Sequence, residues 1–507
     1  MKRADWTLYH SLATVFVLVV FVFAGLIAEK VFEQVPHLED EVAYLFQAQV
    51  FAIGRAYVDA PFHTNCFFAP FVLDYQGHRF GKYPPGWPAL LSVGLRMGQG
   101  WWVNAACAAV IVALVFRLAR EIHSPLTGAV AAGLGSTSPF LLLLSGSFMS
   151  HTSCLAFVTA FTWCYWRTCP HRFARDNRRP GPQDRSQPSE AWSLAAGLML
   201  GCAFVIRPYT AIAVALPAGI HALWRLARCA EWKRVWFIAL GCVPLTVIVP
   251  LFNAIWTGDP FLSPYVLFWP YDRPGFGPGH GVLESGNTVW LGLSSVAASI
   301  GLLATHLHGW PAMSLTFVVL LFMFRPRRFG DLFLVSSALS LIMAYTLYWT
   351  SGSVFGPRYA HEITSALLVL SAGGITHVGR WARHGGPRWQ WTLSIGLIVL
   401  VGVSLFIYLP GQFREYHSLY GITARSGEIL EEAGLRDALV IVDRGRGWWD
   451  YAVAFSMNEP TLTGDVVYAS ECSPLTDELL ARYPDRTVYR FDGRHVLPYG
   501  GKDGGAP

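Results

Sequence analysis

The stretch SLATVFVLVVFVFAGLIAEK (residues 11–30) is followed closely by LEDE (38–41). The first is an apolar run of the length a bilayer core requires, about 20 residues of helix. The second sets Glu39, Asp40 and Glu41 just beyond the apolar zone. As a signal peptide the run is long for an h-region, and no A-x-A cleavage pattern follows, so it reads as a retained first span.

The rest of the chain repeats this pattern. Of 507 residues, 53% are hydrophobic and only 14% are charged, whereas soluble domains carry about 25%. The mean hydropathy is +0.38. These values describe a polytopic α-helical membrane protein and exclude a soluble globular one. Charge-poor runs fall at 10–28, 101–116, 126–146, 152–166, 192–206, 208–224, 235–256, 310–324, 331–350, 361–379 and 390–409, about 11 transmembrane helices.

The net charge of +5 matters less than where the basic residues fall. Lys2 and Arg3 precede the first run. Arg117 and Arg120, the Arg-rich segment 167–190, RLARCAEWKR (225–234), RPRR (325–328) and GRWARHGGPR (379–388) follow even-numbered runs. All lie on one side if the N-terminus is cytoplasmic, as the positive-inside rule requires. The expected location is the plasma (inner) membrane, and the expected partner is membrane lipid rather than nucleic acid. A further apolar stretch, 287–308, would reverse RPRR if it spanned, so it reads as an interfacial or re-entrant helix.

Four pieces are then extracytoplasmic: 29–100, 257–309, 351–360 and everything after 410. Cys66 and Cys472 share that oxidising side and could pair. The nine Cys show no C-x-x-C and no zinc spacing, and those in apolar runs read as small hydrophobes. The division is a membrane domain over 1–410 and a small α/β domain over 411–507. In the latter, DALVIVD (437–443), DVVYA (465–469) and RTVYRFDG (486–493) read as strands, and SPLTDELLARYP as a helix capped by Ser473. A helical connection permits parallel pairing. There is no G-x-G-x-x-G and no Walker sequence, so this fold alone assigns no activity.

If 38–53 is helical, the three acids point to three faces. Asp40 shares its row with the polar Tyr44 and Gln47, Glu39 with Ala43 and Phe46, and Glu41 with Leu45 and Ala48. Acids in a first turn also favour the helix dipole, so capping and chemistry both remain open here. In GHRFGKYPPGWPALL (77–91), Arg79 and Lys82 stand beside a rigid Pro-Pro turn and a Trp, which reads as interfacial anchoring or as a cationic aromatic groove. SGSFMSHTS (145–153) carries His151, VIRPYT (205–210) carries Arg207, and SGSVFGPRYAHE (351–362) carries Arg358, Tyr359 and His361. Residues 253–281 are aromatic and Pro-Gly rich. Each cation alone could be a snorkelling side chain, but all of them fall on one face.

In family-like order along 1–410, EDEVAY (39–44), KYPPGWPALL (82–91), RPYTAIAVALP (207–217), TGDPFLSPY (257–265) and FGPRYAHE (355–362) resemble the GT-C membrane glycosyltransferases. The resemblance is to the family 39, protein-mannosyltransferase-like branch that includes the aminoarabinose transferases. It implies transfer of a sugar from a polyprenyl phosphate to an acceptor glycan, lipid or protein on the outer face, usually with inversion. It implies Asp40 as base with Glu41 as motif partner, and Lys82 near the donor. Arg358 is a candidate for the lipid phosphate. Arg207 and Arg79 are further cations for the leaving group, with Tyr83, Tyr359, His151 and His361 beside them.

The residue chemistry agrees. A carboxylate suits a hydroxyl attacking an oxocarbenium-like centre. A departing phosphate needs cations, best a forked Arg. There is no D-x-D and no H-E-x-x-H, since HEITS (361–365) ends in Ser, so no metal and no cofactor beyond the lipid-linked donor is expected. Rival classes are a ligase or polymerase using a polyprenyl diphosphate, a transporter or flippase, and an inactive scaffold. The runs lack the mid-span charges common in transporters, and no repeated half is visible.

Overall fold

The computed structural model describes residues 3–169, 189–229, 231–324, 328–445, 447–472 and 474–500. Most of the Arg-rich segment after 169, most of RPRR and the proposed cap Ser473 lie outside these residues. The first helix, Arg3–Lys30, is followed by Glu39–Ala52. The remaining long helices form a bundle.

Close packing of the bundle depends on small residues. Helix Trp232–Thr246 runs against Ser189–Ile206 through Gly197, Gly201 and Gly241. A methyl group at Gly201 would come 2.7 Å from the Leu245 Cβ. Small residues let helix backbones approach where lipid offers no hydrophobic drive to associate. Arg167 pairs with Glu121 at 2.7 Å and Arg234 with the Thr168 carbonyl at 2.6 Å. These basic helix ends gather at one end of the bundle, and residues 36–49, 82–87, 207 and 358 gather at the other.

Among the described residues, seven helices are long and apolar enough to cross a membrane, or eight if Pro125–Ser136 and Pro139–Gly146, bent by 52°, form one span. The count of eleven is therefore not reproduced by length and composition. The runs at 152–166, 192–206, 310–324 and 361–379 lie in helices too short or too polar to qualify alone. Conversely, Val289–His306 qualifies. Its two ends nevertheless pack beside the same end of their neighbours: Gly292 meets the Thr346 carbonyl, and His306 meets Gly356 and Tyr408.

The segment after the first helix builds a small antiparallel sheet in the order β1-β3-β2, with β1 at Val58–Asp59, β2 at Val72–Tyr75 and β3 at His78–Gly81. The β2–β3 turn is Gln76-Gly77, with φ of 50° and 80°, the left-handed pair that a two-residue hairpin requires. This sheet was not anticipated, because its strands are short and lack alternation.

The C-terminal strands lie where the sequence placed them: β4 Ala438–Val442, β5 Val466–Ser470 and β6 Thr487–Phe491, with an added edge strand β7 Val496–Pro498. The order is β5-β4-β6-β7, with β4 parallel to both neighbours and β7 antiparallel. The central strand ALVIV is buried throughout, which is why it reads as an unbroken apolar run. Cys66 and Cys472 form a disulfide across Cα atoms 5.1 Å apart. Around it, Ser470 Oγ donates to the Cys66 carbonyl at 3.1 Å, Arg444 to the Asn65 carbonyl at 2.6 Å and Gln49 to the Ser456 carbonyl at 2.8 Å. The C-terminal unit is thus docked on the segment that carries the acids.

Candidate active site

Three local devices bring the site together. The first is the start of helix Glu39–Ala52. The Glu41 carboxylate accepts from the backbone N–H groups of His37 at 2.7 Å, Leu38 at 3.1 Å and Phe148 at 2.8 Å. It satisfies amides that the first helical turn leaves open, and it ties that turn to the 145–150 loop. Glu41 is 1% exposed, and burial pushes its carboxyl up to about 7 against the pull of the three amides. Its role as a catalytic partner is corrected: both oxygens are occupied by backbone, and it faces away from the cavity.

The second device is the Pro-Pro-Gly turn. A side chain at Gly86 would meet the Val205 backbone at 2.7 Å, so only glycine lets KYPPG lie against the end of helix Ser189–Ile206. This contact sets Lys82 and Tyr83 beside Arg207. Arg207 itself sits in the break before Pro208, which starts the next helix, Pro208–Cys229. Proline is suited to that first helical position and disfavours helix in the residue before it.

The third is the turn at 352–358. Gly352 has φ of 58°, and a Cβ there would come 2.7 Å from the Tyr359 ring. The Arg358 amide closes the turn on the Gly352 and Gly356 carbonyls at 3.1 and 2.8 Å. Arg358 and Tyr359 are thereby aimed at the acids.

Together they enclose a cavity of about 520 Å³. Asp40, Lys82, Tyr83, Arg207, Arg358 and Tyr359 all line it. Tyr83 donates to Asp40 Oδ1 at 2.6 Å, and Arg358 Nη2 lies 3.6 Å from Asp40 Oδ2. Burial works against the Arg358 charge, but Asp40 and the Tyr359 and Tyr83 rings hold its pKa above the ordinary value. Helix positions 44 and 47 also serve the site: Tyr44 bonds Ser150 at 2.9 Å, and Gln47 accepts from the Gly81 amide at 2.9 Å. Glu39 stands at the rim beside Trp448 of the C-terminal unit, and burial holds its carboxyl above the ordinary range.

Lys82 is in the wall, but its charge is committed. Its ammonium lies 2.6 Å from Asp272 Oδ2 and within 4.1 Å of the Trp269 ring centre and 4.5 Å of Phe71. Burial lowers its pKa and Asp272 only partly restores it. Asp272 also accepts from Tyr348 at 2.6 Å and Trp349 at 3.0 Å, so it joins three separate segments. Asp272, Tyr345, Tyr348 and Trp349 were not among the sequence candidates. The one available signal was an acid inside the aromatic stretch FWPYDRP (268–274).

Besides Glu41, three candidates fall outside the cavity. Arg79 is buried in the loop sheet, 3.4 Å from Asp74 and bonded to the Phe67 carbonyl. Its role as a donor ligand is corrected, because alternation along β3 turns it away from Lys82. His151 and His361 are fully buried below the floor. His151 Nδ1 lies 3.2 Å from Glu362, a residue the sequence reading passed over. Neither histidine reaches the cavity, so their direct contact with donor is corrected as well.

The sequence profile of the family described as "dolichyl-phosphate-mannose-protein mannosyltransferase" matches residues 92–256. That range contains His151 and Arg207 but not Asp40, Lys82 or Arg358. No curated protein matches the chain. ArnT from Cupriavidus metallidurans in the apo state aligns with a TM-score of 0.54 and 14% identity, over 96% of this chain and 90% of that one. The same protein bound to undecaprenyl phosphate aligns with a TM-score of 0.55 and 13% identity, over 97% and 90%. Identity this low speaks for the fold. The chain is thus a polytopic helical membrane protein whose fold is similar to that of ArnT and whose residues 92–256 are similar to the mannosyltransferase family.

Proposed function

We propose that this protein is a glycosyltransferase that moves a sugar from a polyprenyl phosphate to an acceptor hydroxyl at the extracytoplasmic membrane surface. The observation that carries the reading is the placement of Asp40 opposite Arg358 and Arg207 in one aromatic-walled cavity. The solved ArnT relative with undecaprenyl phosphate supports this lipid class.

In the proposed reaction the acceptor oxygen attacks the anomeric carbon while Asp40 takes its proton. The bond from that carbon to the phosphate oxygen breaks, and the polyprenyl phosphate leaves with the electron pair. One displacement inverts the anomeric centre. The leaving phosphate gains negative charge, which the two guanidinium groups stabilise as it forms. General-base help of this kind contributes about 10²–10⁴ in rate. Tyr83, Tyr265, Tyr345, Trp349 and Tyr359 offer faces for a sugar ring. Val249, Asn253 and Trp256 form the wall nearest the exposed apolar residues Val247 and Leu251, a suitable exit for a prenyl chain. The proposal assigns no metal and places the acids and the C-terminal unit outside the cytoplasm.

The test is mass spectrometry of lipids that co-purify with wild type and with Asp40→Asn. A polyprenyl phosphate-sugar enriched in the variant is the expected result, and its mass names the sugar class. A diphosphate bearing a long glycan replaces the reading with that of a ligase. A fully active Asp40→Asn removes the base assignment.

A further inference from the structure

Below the cavity floor lies a buried carboxyl group that the proposed reaction does not use. Glu362 is 1% exposed, and its side chain has no exposure at all. Its Oε1 lies 3.1 Å from Arg207 Nε and 3.2 Å from His151 Nδ1. Its Oε2 has no hydrogen-bond partner among the described residues. A buried carboxyl with one unsatisfied oxygen is costly, and packed apolar residues in place of buried ion pairs are often neutral or stabilising. Its presence therefore calls for something other than stability.

We infer that Glu362, steadied by His151, is a positioning residue that fixes the plane of Arg207 for the donor phosphate; the inference rests on the phosphate role proposed above. The geometry of Arg207 carries it. A guanidinium has five N–H donors in one plane. Glu362 Oε1 pairs electrostatically with the Nε edge at 3.1 Å, while the Nε–H itself donates to Thr210 Oγ1 at 3.4 Å. Ser150 Oγ lies 3.3 Å from Nη1, and the Tyr345 hydroxyl lies 3.2 Å from Nη2. Among the described residues each terminal nitrogen thus has one acceptor and one N–H to spare, and Arg207 lines the cavity, so a phosphate there could be met by both spare donors.

Pro208 restrains the backbone on one side of Arg207. His151 bonds the same carboxylate oxygen that Arg207 uses, which keeps that oxygen from turning away. Tyr44 reaches the arrangement through Ser150 at 2.9 Å, so the helix that carries Asp40 leans on it too. Arg358 and Glu362 both belong to the short helical turn Arg358–Ile363. One six-residue segment thus supplies one cation directly and orients the other.

The experiment is a double-mutant cycle on the full-length protein in detergent micelles, with undecaprenyl phosphate as probe. Arg207→Ala and Glu362→Gln are each expected to weaken binding about 10-fold, and the double variant no more than about 20-fold, because residues acting through one another are not additive. Glu362→Asp, which keeps the charge, is expected to recover part of the affinity lost in Glu362→Gln. If Glu362→Gln does not fold, Glu362→Asp closes the same cycle.

Wild-type affinity in Glu362→Gln, with or without a lowered melting temperature, would show a purely structural role and overturn the inference. Losses that multiply to about 100-fold would overturn it as well, since the two residues would then act independently. Wild-type affinity in Arg207→Ala would instead remove the phosphate role of Arg207, and the inference with it. That result differs from a failure confined to Glu362.

Discussion

The hydroxyl of Tyr83 donates a 2.6 Å hydrogen bond to Oδ1 of Asp40, joining the Pro-Pro turn to the acidic helix start. The bond fixes one carboxylate oxygen and leaves the other toward Arg358. Hydrogen bonds to charged groups contribute about 1.5–3 kcal/mol. Tyr83→Phe is therefore expected to lower turnover by about 10-fold or more while donor affinity changes little. Steady-state kinetics with a defined donor would check this, and unchanged turnover would make the tyrosine a mere wall residue.

Arg358 faces both Asp40 and the cavity, whereas Lys82 is neutralised by Asp272. Arg358→Ala should therefore weaken undecaprenyl phosphate binding about 10-fold or more, in keeping with charge-assisted contacts. Glu39→Ala should change it far less, because the rim acid carries no positive charge. Equal losses in the two variants would reduce Arg358 to a packing residue.

Glu41 offers a pH signature of folding. Its carboxyl is pushed from 4.5 to about 7 by burial. Between those values the folded protein holds a proton that the unfolded chain has released, so this group makes stability fall as pH rises through the window. Below it both states are protonated and the effect vanishes. Glu41→Gln removes the titration, so its melting temperature should gain on wild type as pH goes from about 5 to about 7.5. Parallel melting curves across that range would contradict the buried titration.

The disulfide between Cys66 and Cys472 closes a sequence separation of 406 residues. Removing a native disulfide commonly costs about 2–5 kcal/mol. Cys66→Ser should loosen the C-terminal unit before the helix bundle, seen as faster amide exchange in 438–491 with little change in 102–122. Uniform acceleration would mean that the docking contacts, rather than the bridge, hold the unit.

Much of this architecture is legible in the amino-acid order, because it follows from local rules. Apolar runs, the helix at 39–52 and the parallel strands at 438–442, 466–470 and 487–491 each express a pattern within one segment. The polar row of Asp40, Tyr44 and Gln47 is a consequence of helical periodicity alone, and all three side chains serve the site. The span count was harder, because helices such as His151–Thr168 carry Thr, Ser and Cys that are tolerated only when buried among other helices.

Sequence by itself determined the membrane class, the acid-bearing segment and the set of cations at one end of the bundle. Only the tertiary structure decided which of those groups face the cavity. Asp272 is 190 residues from Lys82, and Glu362 is 211 from His151, so no local spacing could pair them. Glu41 and Asp40 are chemically alike and adjacent, yet one is spent on three backbone amides and the other lines the site. The physical reason is that a helix turns about 100 degrees per residue, and what each face then meets depends on segments that packing alone brings together.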